Sequence, residues 1–204
     1  MSQAPHSASR DRNAVATAAR AAIFCLLLLL LGPPFVFGQR GRPTQYQVEA
    51  VYLYQFGRFI HWPNPTAEQA PAGSAFSICV LGRDPFGTIL DTTVSGESIN
   101  QVPLKVTRIN EVNAAKGCRI VFISDSEDER LPTILETLQK LPVLTVGETP
   151  DFVTRGGMIQ FVVDQNRVRF EINVTTAQRA GLSMSSQLLK VASAVRGAPA
   201  GASQ

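Results

Sequence analysis

Four regimes of apolar spacing run along this chain. The first is a continuous run, Ala21–Leu31 (AAIFCLLLLLL), led by Arg10, Arg12 and Arg20 and broken by Gly32-Pro33-Pro34. Its 11 residues fall short of the roughly 18 that a membrane span needs. Small residues follow at a plausible cut, Val36-Phe37-Gly38. This is the layout of a secretory signal over residues 1–38, so the rest of the chain is expected outside the cytoplasm.

The second regime has helical period. Thr44-Gln45-Tyr46-Gln47 has the spacing of a capping box, and proline stops the pattern at His61-Trp62-Pro63. The helix expected from Thr44 to about Ile60 is unusually apolar. Val48, Val51, Tyr52, Phe56, Phe59 and Ile60 form one stripe, and Ala50, Leu53, Tyr54 and Gly57 a second. Gln47, Gln55 and Arg58 share one narrow polar strip, and Glu49 is the lone exception. A helix with so little polar surface is buried on several sides, or meets a second protein with part of it.

In the third regime, short apolar runs alternate with helical signals. Phe76–Leu81, a stretch within Ile99–Val106, Cys118–Ile123 and Val143–Val146 read as strands, with Pro103 marking an edge or bulge. Helices are expected from Asp84-Pro85, with Pro85 in the first position, and from a capping box at Ser126 and Glu129. Leu131, Ile134, Leu135, Leu138 and Leu141 form the buried face of the latter, and residues 111–116 suggest a helical turn. In the fourth regime Met158–Val163 and Val168–Asn173 flank Asp164-Gln165-Asn166-Arg167 as a β-hairpin, and helical segments follow at about 175–180 and 184–195. The fold class is therefore α/β: a single domain over 44–196 with a mixed, mostly parallel sheet, flanking helices and a C-terminal β-hairpin. Residues 39–43 read as a flexible arm and 197–204 as a disordered tail.

Charge removes one class of function. Residues 1–38 hold three arginines and one aspartate, which leaves 16 basic against 15 acidic groups and no electrostatic argument for nucleic acid. Cys25 lies in the leader, leaving Cys79 and Cys118. In an oxidising compartment that pair reads as one disulfide, the alternatives being two buried free thiols or a pair that toggles with redox state.

Enzymatic signatures are missing from the sequence. Gly82–Gly87 (GRDPFG) lacks the third glycine of a dinucleotide fingerprint and the Gly-Lys-Ser/Thr of a P-loop, so it reads as a plain strand-to-helix turn. His61 is the one histidine after residue 38, so no His/Cys metal set is expected, no cofactor, and no catalytic triad. Two clusters remain. Phe59, Ile60, His61 and Trp62 sit at a helix end, where aromatics serve the core or a partner's hot spot. Arg167, Arg169, Arg179 and Asn173, with Arg58 from the first helix, are a candidate set for a small anion or nucleotide. That set supports a rival reading, a periplasmic ligand sensor.

Taken in order, Tyr46–Pro63 (YQVEAVYLYQFGRFIHWP), Phe76–Gly87 (FSICVLGRDPFG), Leu144–Glu148, Gly156–Ile159, Arg169–Asn173 and Ser185–Leu189 resemble the YfiR family. The resemblance implies an exported α/β protein that represses a membrane-anchored diguanylate cyclase, or serves another membrane sensor such as a histidine kinase. It also implies a homodimer, an OmpA-like outer-membrane lipoprotein as a second partner, and a family disulfide that falls on Cys79 and Cys118.

Overall fold

The computed structural model describes residues 42–63 and 75–197. The secretory signal, residues 39–41 of the arm, the loop at 64–74 and residues 198–204 of the tail lie outside the described residues.

The first helix, α1 (Gln45–Phe59), starts where its side chains dictate. Thr44 Oγ1 accepts from the Gln47 amide at 3.3 Å, and Gln47 Oε1 accepts from the Thr44 amide at 2.8 Å. The expected capping box is therefore closed in both directions. A two-residue strand follows, β1 (Ile60–His61). Next come β2 (Phe76–Leu81), helix α2 (Thr88–Val94), β3 (Ser98–Ile99) and β4 (Val102–Ile109). A 3-10 turn at Val112–Gly117 leads to β5 (Ile120–Ile123). A second 3-10 turn, Asp125–Arg130, runs into α3 (Leu131–Leu138), and β6 (Leu144–Gly147) follows. The chain closes with β7 (Ile159–Asp164), β8 (Arg167–Asn173), α4 (Val174–Arg179), β9 (Ser183–Met184), α5 (Ser186–Val191) and β10 (Ala194–Arg196).

Eight strands make one sheet in the order β10-β8-β7-β6-β5-β2-β4-β3. The pairs β3/β4 and β7/β8 are antiparallel and the rest are parallel. Strands β4-β2-β5-β6-β7 follow the doubly wound order in which the second parallel strand lies outside the first. Side chains alternate across the sheet and divide the core in two. Ile78, Val80, Ile120, Phe122, Leu144 and Val146 face α1, α2, α4 and α5. Cys79, Leu81, Val121 and Ile123 face α3 and the 3-10 turn at Val112–Gly117.

Three local expectations are corrected. Asp84-Pro85 does not open a helix: Asp84 Oδ1 accepts from the Phe86 amide at 2.8 Å, Gly87 turns at φ +53°, and α2 begins at Thr88. Ser126 and Glu129 form no capping box. Ser124 Oγ accepts from the Ser126 amide instead, a 3-10 turn intervenes, and the α-helix waits for Leu131, beside the proline that suits a first turn. The helix expected to reach residue 195 stops at Val191, because Ser193 turns to pair its amide and hydroxyl with the Phe170 carbonyl, each at 2.9 Å, and starts β10. The hairpin forms as read, with Gln165 and Asn166 both at positive φ, as a two-residue turn of the right hand requires.

Candidate functional site

The chain leaves α1 as an extended segment because Ile60 caps the helix in a β conformation and pairs with the far end of the fold. Ile60 lies opposite Met184 and His61 opposite Ser183. Ile60 is 5% exposed and belongs to the core, His61 is exposed, and Phe59 and Trp62 are half-buried. The indole of Trp62 meets Phe76 edge-on, ring centroids 5.4 Å apart, and its Nε1–H has no acceptor among the described residues. The structure thus gathers the four aromatic-corner residues onto one rim, three of them with accessible surface.

The arginine set is distributed differently. Phe170 and Ile172 of β8 face α1, so Arg167 and Arg169 point to the other side of the sheet. Arg169 lies 3.7 Å from Asp164 across the hairpin. Arg58 is on α1, its guanidinium 5.5 Å above the Tyr54 ring, and Arg179 ends α4 on the α1 side. Asn173 is occupied by the fold: Oδ1 accepts from the Thr176 amide at 3.0 Å as a helix cap, and Nδ2 donates to the Val153 carbonyl at 2.9 Å. A cavity of about 150 Å³ lies elsewhere, between Leu81, Val112, Arg130, Thr133 and Ile134.

The carboxyl ends of the parallel strands carry a group that sequence reading noticed without placing. Glu49, the lone carboxylate off the polar strip of α1, is 0% exposed. Its Oε1 accepts from Gln45 Nε2 at 2.9 Å, and its Oε2 has no hydrogen-bond partner among the described residues. The same Gln45 nitrogen lies 3.5 Å from Oε2 of Glu148, just past the end of β6. Burial pushes the Glu49 carboxyl up to about 7, against the smaller stabilising effect of the Gln45 hydrogen bond and with a push from the Glu148 charge. Glu148 is raised too, by burial and then by Asp125. The Tyr46 phenol, raised by burial first, feels Glu148, Glu49 and Asp125 in turn. Gln45 and Glu148 escaped sequence reading because their proximity needs a helix laid across the sheet.

Next to this group the strand-to-helix turn is packed shut. Gly82 sits at φ +89°, and a Cβ there would lie 2.6 Å from Ser126 Oγ, which accepts from the Arg83 amide at 2.9 Å. That agrees with a plain turn. On the far face of the sheet a disulfide joins Cys79 of β2 to Cys118, just before β5, with 5.9 Å between the Cα atoms. No described helix is long and apolar enough to cross a membrane.

The YfiR/HmsC-like family model (DUF4154) matches residues 46–193. No curated protein matches the chain. Among solved structures, the chain is similar to a conserved domain protein from Vibrio cholerae, at 11% identity and a TM-score of 0.47 over 65% of this chain. It is also similar to the ABC domain in complex with L-Trp from Streptococcus pneumoniae, at 13% identity and a TM-score of 0.49 over 72% of this chain. The chain spans 60% of the length of each of these two structures.

Proposed function

Because the chain belongs to the YfiR/HmsC-like family, we propose that it represses a membrane-anchored diguanylate cyclase by direct contact. The family is a periplasmic, regulatory and non-catalytic one of the cyclic di-GMP pathway, and the proposal carries that role to this chain. The reading rests on the rim formed by Phe59, His61 and Trp62. Half-buried Phe59 and Trp62 beside an exposed His61 have the composition of a binding hot spot, large aromatics with part of their surface accessible. Repression further requires the rim to bind the inactive receptor more tightly than the active one, since equal affinity shifts nothing.

Trp62→Ala tests the reading. The variant is expected to lose affinity for the membrane partner by about tenfold or more, since truncating a hot spot costs roughly 2 kcal/mol. Its melting temperature should stay close to that of the parent protein. Co-precipitation from membranes reads the affinity, and cyclase output reads the repression. Unfolding of the variant would return Trp62 to the core, in which case His61→Ala, at an exposed position, carries the test. A histidine kinase captured instead would replace the cyclase as receptor. Sedimentation of the free protein checks the homodimer that the family resemblance implies, and adding an OmpA-like lipoprotein to the assembled complex checks release.

A further inference from the structure

The group beneath the first turn of α1 holds two carboxylates, Glu49 and Glu148, joined through Gln45, and neither forms an ion pair with a described Lys or Arg. The fold brings together a helix and the end of β6 at the carboxyl edge of a parallel sheet, where open α/β folds hold their ligands. One member is a fully buried carboxylate with an oxygen that no described residue satisfies. A buried polar atom without a partner is costly, so the position calls for a donor that the described residues do not supply.

The geometry indicates which donor. The amide nitrogen of Gln45 already stands between two carboxylates, 2.9 Å from Glu49 Oε1 and 3.5 Å from Glu148 Oε2. A neutral amide in that position is a weak stand-in for a cation, and it leaves Glu49 Oε2 unserved. An ammonium group has three N–H donors for the three oxygens, and charge-assisted bonds are roughly twice as strong as neutral ones. Gln45 is on the exposed first turn of α1, so its side chain can swing into solvent and open the path inward.

We propose that Glu49 and Glu148 form a binding site for a small primary alkylammonium ligand, with Gln45 as the group it displaces. In the absence of such a ligand a proton on Glu49 neutralises the site. Binding of the ligand expels that proton, so affinity rises with pH as Glu49 ionises. The site is separate from the aromatic rim and does not depend on the cyclase reading.

Calorimetry of the purified protein with n-butylammonium tests this, with tetramethylammonium as a cation of the same charge that has no N–H donor. Butylammonium is expected to bind, at least tenfold more tightly than tetramethylammonium, and more tightly at pH 8 than at pH 6. Glu49→Gln should weaken butylammonium at least tenfold. If Glu49→Gln fails to fold, Glu148→Gln, at a half-buried position, should give a loss in the same direction. No binding at either pH would overturn the site and leave a proton-only carboxyl. Equal affinity for the two cations, or variants that bind like the parent, would reduce it to nonspecific surface attraction and equally overturn it.

Discussion

Glu49 shows what a single residue can carry. A carboxylate among apolar neighbours is visible in the sequence, but its exposure is not: an outward rotamer and a buried one are compatible with the same spacing. The fold places it at 0% exposure, and its carboxyl rises from 4.5 to about 7. The folded state therefore keeps a proton that the unfolded chain releases. The stability contributed by the neutral carboxyl is complete below about pH 4.5 and is lost as pH rises through about 7. The loss is on the order of 2–4 kcal/mol. Denaturant melts across that window are expected to show the decline, and Glu49→Gln should flatten most of it, with Glu148 retaining a smaller slope of the same sign. Arg108 marks the opposite case, a residue with no signal at all. It holds Asp84 at 2.9 Å, Asp91 at 2.6 Å and the Gly87 carbonyl at 2.7 Å, partners 17 to 24 positions away that converge once β4 lies beside β2. Gly157 is a third case, a close backbone approach whose cause only the fold supplies. A Cβ on Gly157 would lie 2.1 Å from the ring of Phe152.

Among the elements, those with a local cause were readable. The capping box at Thr44 and the two-residue hairpin turn depend on contacts within four positions, so their signals survive in the sequence. The start of α3 did not, because the hydroxyl that was to cap it, Ser126, is taken by the Arg83 amide from another loop. The disulfide also belongs to this scale. It ties β2 to the segment entering β5, two strands already paired through Cys79 and Val121. Closing a separation of 39 residues constrains the unfolded chain by up to about 4 kcal/mol. The double variant Cys79→Ser, Cys118→Ser is expected to keep the same sheet and lose about 2–4 kcal/mol in denaturant melts. Reductant should shift the parent protein's midpoint the same way and leave the variant's unmoved.

At the scale of the whole molecule, the edge of the sheet is decided last. Strand β10 covers the side of β8 through Ala194↔Glu171, Val195↔Ile172 and Arg196↔Asn173. Truncation after Val191 would leave β8 with a free row of backbone groups, a template for pairing with another chain. Light scattering of the truncated protein is expected to show self-association that the parent lacks at the same concentration. By itself the sequence determined the class of fold, the order of most elements and the hairpin, because hydrophobic period, turn residues and caps act within a few positions. Tertiary structure alone decided that the last strand returns to β8, that Arg58 and Arg169 lie on opposite sides of the sheet, and that Gln45 stands between Glu49 and Glu148. Those outcomes depend on contacts between residues up to about a hundred positions apart, whose energies exist only once the layers have packed.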